Sequence, residues 1–260
     1  TPTGFKKMGD LRIGDFVFSQ CGEQTRIIDI PYEGVDEAYR LTFSDGSSTI
    51  ASGEHLWVCK TSKERFRKKY TKSARALSKE PFDNKDYGIW KVLSTKQIIE
   101  SGGYNPEARS NWRKISIPIA EPVQGGNEGL FDPYLVGLML GDGCLRGNAY
   151  SITTVDKEIA DYVTALGAKN TPGDIAYRLP VRIRDELRAI GLGDTLSNTK
   201  FIPEKYLFGS FSVRLDTLRG LMDTDGTVTT ASSKHVSFST VSIKLAEDIS
   251  TLVCSLGGIA

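Results

Sequence analysis

The chain has 260 residues, enough for one large or two modest domains. Its 39% hydrophobic and 25% charged residues suit an ordinary globular protein, and no run of 18 apolar residues exists to cross a membrane. The four cysteines, Cys21, Cys59, Cys144 and Cys254, stand far apart with no CxxC pair, which argues against a zinc site or disulfide framework and for a reducing cytoplasm. The opening TPTGFKKMGD lacks the apolar core of a signal peptide.

Residues 1–59 read as short strands separated by turns. Arg26–Ile30 and Ala38–Phe43 are strand candidates, Asp45-Gly46 is a turn, and Ser48–Ala51 resumes an extended segment before Ser52-Gly53-Glu54-His55-Leu56-Trp57. By residues alone this is an all-β module. The leader TPTGFKKMGDLRIGD and the stretch ASGEHLW resemble two blocks of inteins, whose splicing domain is of the Hint class. The resemblance implies that His55 helps to activate the peptide bond at the amino-terminal splice junction, with Ser52 in place of the usual Thr. An imidazole and a hydroxyl three residues apart could hydrogen-bond to a strained amide and protonate its leaving nitrogen. The plainer reading is that His55 packs beside Trp57. An intein also needs a Cys or Ser as its first residue. Here Thr1 opens a phrase that lies downstream of that nucleophile, and Ala260 is preceded by no His-Asn pair. The chain as given is therefore expected to be a fragment of a longer precursor that does not splice by itself, its host exteins lying outside it.

Residues 60–79 hold nine Lys/Arg and one acid, a local charge of +8 in a chain of net charge +1. Arg65, Arg67, Lys68 and Lys69 are interleaved with Phe66 and Tyr70, a pattern that suits phosphate contacts or a solvated face. Trp90–Ser101 reads as a strand and a short helix, and Trp112–Val123 as extended. The glycine-rich 125–129 is the best linker in the chain, so a boundary is expected between domains at 1–124 and 130–260.

Beyond it, one pattern occurs twice: LVGLMLGDG at Leu135–Gly143 and LRGLMDTDG at Leu218–Gly226. Leu135, Leu138 and Met139, like Leu218, Leu221 and Met222, give each copy one apolar helical face. Gly137 with Gly141, and Gly220 with Thr224, form stripes of small residues that let helix backbones approach. Gly143 and Gly226 are expected to end the helices in the left-handed conformation. Asp142 and Asp225 put a negative charge at the negative end of the helix dipole, which a side-by-side pairing would bring together. Two such carboxylates need a cation, and an all-oxygen site suits Mg²⁺.

The paired motifs resemble those of two-motif, single-chain LAGLIDADG (DOD-type) homing endonucleases. That resemblance implies an α+β, pseudo-twofold αββαββα domain, a monomer acting on double-stranded DNA, with Asp142 and Asp225 as ligands of the divalent metal. Leu140 departs from the family's acid at the sixth motif position, which Asp223 keeps; that position is not a metal ligand.

Further along, Cys144–Arg146 and Ala149–Thr154 flank a Gly147-Asn148 turn, and Asp156–Leu166 reads as a helix closed by Gly167. The second copy repeats this: Thr227–Thr230, a Ser/Lys turn with Lys234, Val236–Thr240, and a helix Ser242–Leu256 closed by Gly257. Arg146 and Lys234 on these hairpins are candidate DNA contacts. Ile175–Leu179 reads as a strand and Val181–Ile190 as a helix. Thr199-Lys200-Phe201-Ile202-Pro203 resembles the family's K-x-I-P block, which implies that Lys200 lies near the scissile phosphate; a surface lysine before a turn is the alternative. Repeat 1 spans about 132–208. Repeat 2, about 211–260, is expected to be incomplete, with an unpaired sheet edge. Two other functions fit the same pattern: a non-cutting nucleic-acid binder of the regulator or maturase kind, or a Hint autoprocessing protein with a decayed nuclease.

Overall fold

A computed structural model describes residues 1–61, 90–101, 115–229 and 235–260. It is a mixed α/β structure of several small sheets. Contacts group Thr1–Ile30 with Ala120–Ala260 in one compact unit and leave Pro31–Ile119 as a second. The linker read at 125–129 thus falls inside the first unit, not at its border.

In the first unit a 3₁₀ turn at Met8–Asp10 precedes an antiparallel ribbon, β1 (Phe16–Phe18) with β2 (Gln24–Arg26). The strand expected at 26–30 is displaced toward the amino terminus. Gly14 (φ +99°) and Asp15 both face Ile27, Gly14 donating to its carbonyl and Asp15 accepting from its N–H, each at 2.8 Å. That extra residue is a bulge, and the regular ladder stops at Arg26.

The second unit contains β3 (Ala38–Thr42) paired with β4 (Ser48–Ser52) around the Asp45-Gly46 turn, where Asp45 accepts from the Ser47 N–H at 2.9 Å. Strand β5 (Leu56–Thr61) lies between β6 (Lys91–Ser94) and β7 (Ile115–Ser116). The helix α1 (Thr95–Glu100) follows β6 through a capping box between Ser94 and Gln97. A strand and short helix stand where they are expected after Trp90, so this unit is not purely β.

From residue 133 the order is α2 (Pro133–Gly141), β8 (Gly143–Cys144), β9 (Ser151–Thr153), α3 (Lys157–Ala165), β10 (Lys169–Asn170), β11 (Ala176–Arg178) and α4 (Val181–Ala189). This is αββαββα, with its four strands in one antiparallel sheet ordered β10-β11-β9-β8. A short helix α5 (Glu204–Leu207) leads to α6 (Phe211–Asp225), the hairpin β12 (Gly226–Thr229) and β13 (His235–Phe238), and α7 (Ile243–Ser255). The duplication extends to single hydrogen bonds. Asp156 and Ser242 cap α3 and α7, and each donates its N–H at 3.1 Å to a threonine hydroxyl two residues earlier, Thr154 and Thr240. Gly167 and Gly257 end these helices at φ +92° and +83°.

The hydrophobic core is built around α2. Leu135, Val136, Leu138, Met139 and Leu140 are all buried, so this helix is apolar all round instead of on one face. Sequence spacing identifies the stripe toward α6; Val136 and Leu140 face the rest of the core, with Tyr150, Ile152, Ile183 and Leu187 among its members. No helix among the described residues is long and apolar enough to cross a membrane.

Candidate active site at the paired helix ends

The site begins with two helices whose backbones touch. A methyl group on Gly137 would lie 2.3 Å from the Thr217 carbonyl and 2.9 Å from the Gly220 Cα. One on Gly220 would lie 2.2 Å from the Tyr134 carbonyl, and one on Gly141 1.9 Å from Thr224 Oγ1. Any side chain larger than hydrogen at these glycines would force the helices apart, so the small-residue stripes are required by the packing. Across the same seam the Tyr134 hydroxyl donates to Asp223 Oδ2 at 2.7 Å. The acid at the sixth motif position therefore ties the two helices together at their exposed edge. The first copy has Leu140 at that position, and there it is core.

Helix α6 is held from behind by Arg214, which is 1% exposed. Its guanidinium donates to the Gly209 carbonyl (3.0 Å), to the Ser255 carbonyl (2.5 Å) and hydroxyl (2.7 Å) at the end of α7, and to the Val123 carbonyl. No carboxylate among the described residues takes part, so the fork is satisfied by oriented dipoles, and a cation is well placed at a helix carboxyl end.

The helix ends depart from expectation. Gly226 has φ −78°, and Gly143 also lies outside the positive-φ region. Glycine is needed at both positions for space. A methyl on Gly143 would stand 2.4 Å from the Met139 carbonyl, and one on Gly226 2.2 Å from that of Met222. The chain leaves each helix directly into a strand, folding back against the last turn with no room for a Cβ.

That geometry delivers Asp142 and Asp225 side by side. Asp142 is the residue after α2, its N–H bonded to Leu138 O at 3.1 Å, and Asp225 is the last residue of α6. Asp225 Oδ2 lies 3.4 Å from where a Cβ on Gly141 would be, so its carboxylate sits over the end of the opposite helix. Lys200 reaches the same place and donates to the Gly141 carbonyl at 2.5 Å. Burial raises the Asp225 carboxyl above its usual range, the Asp142 charge raises it further, and the Lys200 ammonium opposes both. Burial depresses Lys200, offset by Asp225 and Asp142. Three charges thus share one spot. Lys200 is only 5% exposed, and its backbone is pinned by the second repeat: Ser242 Oγ donates to the Lys200 carbonyl at 2.6 Å, and Asp248 accepts from the Ile202 N–H at 3.0 Å.

Two carboxylates near a buried lysine form an all-oxygen donor pair. No group of three or more His, Cys, Asp or Glu side chains that could hold a metal occurs among the described residues. Such a pair is too sparse for a closed structural metal site. It suits a hard cation such as Mg²⁺, which keeps several waters and takes its remaining ligands from substrate phosphates.

The other candidate residues are placed as follows. Arg146 follows β8 and lines a cavity of about 440 Å³ together with Asp142 and Lys200. In the second unit Ser52 ends β4, and the His55 N–H donates to its carbonyl at 3.2 Å, forming a tight turn. The exposed His55 ring meets Trp57 edge-on, with centroids 4.6 Å apart. Arg65, Arg67, Lys68, Lys69 and Lys234 lie outside the described residues. Sequence reading missed Arg214, although its spacing from Thr217 and Leu221 along α6 puts a cation on the buried stripe.

Over 265 residues the chain is 32% identical to the replicative DNA helicase DnaB of Mycobacterium intracellulare, an alignment that takes in 99% of this chain and 41% of the helicase. The chain therefore spans less than half the length of that relative. Residues 212–260, which include all of α6 but its first residue and so Asp225, match the LAGLIDADG-like domain, and this part of the chain carries such a domain.

Proposed function

We propose that the two repeats from about residue 132 onward form a metal-dependent homing endonuclease of the LAGLIDADG type, and that segments ahead of them belong to a Hint-class splicing domain, both being parts of an intein. The reading is carried by one observation: Asp142 and Asp225 stand at the ends of two backbone-contacting helices, close enough to feel each other's charge and that of Lys200, whose ammonium binds the Gly141 carbonyl. Both motif helices come from one chain, so the enzyme acts as a monomer on double-stranded DNA. Similarity to part of a helicase is what an insertion in a helicase gene would give, and the chain has no Gly-Lys pair with which to build a phosphate-cradling P-loop of its own.

In this mechanism Asp142 and Asp225 would hold Mg²⁺, which would supply Lewis-acid activation of a water nucleophile and offset negative charge on the phosphate. Asp142 is exposed and so open to substrate, whereas Asp225 is half-buried and fixed by its helix. The Lys200 ammonium, held by the Gly141 carbonyl, is preorganised to face negative charge developing on the scissile phosphate. The test uses the full-length parent and a duplex spanning the uninterrupted helicase coding sequence. Asp142→Asn and Asp225→Asn are each expected to slow cleavage by roughly a hundredfold or more, about 3 kcal/mol of barrier, while gel-shift affinity in EDTA stays within a few-fold. Wild-type cleavage by the two Asn variants would remove the assignment.

For the splicing half, the exposed imidazole of His55 and the nearby Ser52 are free to meet an amide brought to them. With both termini restored in a precursor, ligated flanks are expected from the parent and accumulated precursor from His55→Ala. Undiminished splicing by that variant would leave His55 as a packing partner of Trp57.

A further inference from the structure

The cavity beside the paired carboxylates is lined on one side by residues 142–146, through β8 into the turn that follows, and on another by residues 195–198 in the loop after α4, with Lys200 and Val241 completing it. The two segments are bolted together. Asp194 Oδ1 accepts from the Gly147 N–H at 2.8 Å, and Arg188 donates to the Gly147 carbonyl at 2.7 Å. The buried Tyr150 hydroxyl accepts from both Arg188 Nε (3.3 Å) and the Asp194 N–H (3.4 Å). Within the loop, Thr199 Oγ1 accepts from the Leu196 N–H at 2.9 Å. Asp194 is the one non-glycine residue with positive φ (+55°) among those described. A strained backbone persists where its surroundings over-determine it, and such positions cluster at functional sites.

The side chains lining the cavity behave in the opposite way. Arg146, Ser197 and Asn198 line it, yet none makes a side-chain hydrogen bond or ion pair among the described residues, and Thr195 Oγ1 is buried without a partner. A fixed frame carrying uncommitted polar tips is the arrangement of a preorganised binding site. A guanidinium, an amide and a hydroxyl beside the Lys200 ammonium match the oxygens of a phosphodiester.

We propose that this cavity seats a DNA backbone phosphate next to the one held at Asp142 and Asp225, gripped by Arg146 with Ser197 and Asn198. Asp194 is the positioning residue that sets the two walls. The identity of the ligand as DNA rests on the nuclease reading above. The experiment titrates a fluorescein-labelled duplex of mixed sequence with the intact chain in EDTA, at several salt concentrations, by anisotropy. Arg146→Ala is expected to weaken binding about tenfold and to lower the slope of log affinity against log salt by about 1. Asn198→Ala is expected to weaken it roughly threefold with the slope unchanged, because an amide contributes no charge. Asp194→Ala removes a negative charge, so simple electrostatics would strengthen binding; the positioning role instead gives a several-fold loss, restored by Asp194→Asn, which tolerates the same φ and can still accept from Gly147. Unchanged affinity and slope in Arg146→Ala, or tighter binding by Asp194→Ala, overturns the site. Those results together with dead Asp142→Asn leave the nuclease reading standing, whereas a lost salt contact with normal cleavage by Asp142→Asn and Asp225→Asn keeps the cavity and removes the carboxylate assignment.

Discussion

Gly220→Ala should destabilise the protein by about 2–4 kcal/mol, and the sign of the effect carries the information. In an open helix, replacing glycine by alanine stabilises by about 1 kcal/mol because alanine is the better helix former. Here the added Cβ would sit 2.2 Å from the Tyr134 carbonyl and 2.7 Å from the Leu138 nitrogen, both backbone atoms that cannot rotate away. The two motif helices must separate, and the close-packed core around Leu135 and Leu221 loses contacts on both sides. Urea unfolding measures this directly. Gly9→Ala is the control, since a Cβ there meets nothing within 4 Å and the residue lies outside the positive-φ glycines. A Gly220→Ala protein as stable as its parent would mean that the helices do not touch as described. A cleavage assay on the same variant should show a larger proportional loss than the unfolded fraction explains, because separating the helices also separates Asp142 from Asp225.

Replacing Arg214 with methionine should cost about 3–5 kcal/mol, a drop of roughly 10 °C in Tm. Methionine fills much of the volume but leaves the Gly209 and Val123 carbonyls without their arginine donor and removes one of two from the Ser255 carbonyl. An orphaned buried acceptor costs about 1–3 kcal/mol. Arg214→Lys should recover only part of the loss, because a single ammonium cannot reach carbonyls that converge on a fork from three segments. Hydrogen exchange offers a local readout. The Val123 N–H is bonded to Ser255 O at 2.9 Å, and the Gln124 N–H to Gly22 O at 2.7 Å. Both amides should exchange faster in Arg214→Met, whereas the α2 amides should change only with global stability. Equal acceleration everywhere would reduce Arg214 to an ordinary core residue.

The parts of the fold legible in the sequence are those written in short-range patterns. The duplicated helices, the caps Asp156 and Ser242, and the closing glycines Gly167 and Gly257 all follow from spacing and local chemistry. The paired acids were legible for the same reason, because a carboxylate at the wrong end of a helix dipole is conspicuous when it occurs twice. What spacing does not carry is the reason for a glycine. Gly143 and Gly226 read as left-handed caps, yet they are demanded by the approach of the strand to Met139 and Met222, a contact that exists only after the chain has turned. The partners of Arg214 and Asp194 were illegible for a related reason. They are backbone atoms of segments far away in sequence, and backbone carbonyls leave no mark on residue identity. Residues 1–124 were read as one module, but Thr1–Ile30 takes its contacts from residues 120–260. Composition has no means of showing which later segment an early ribbon will join.

Helix passes straight into strand at Asp225-Gly226, and at the first junction Asp142 alone stands between them. An insertion or deletion just before either Asp would rotate its carboxylate about the helix axis by about 100° per residue and take it off the shared spot. Sequence drift in length must therefore accumulate elsewhere, at hairpin tips and beyond the strands. Chimeras that exchange β12–β13 for the hairpin of a related chain should be cut after Gly226, never before Asp225.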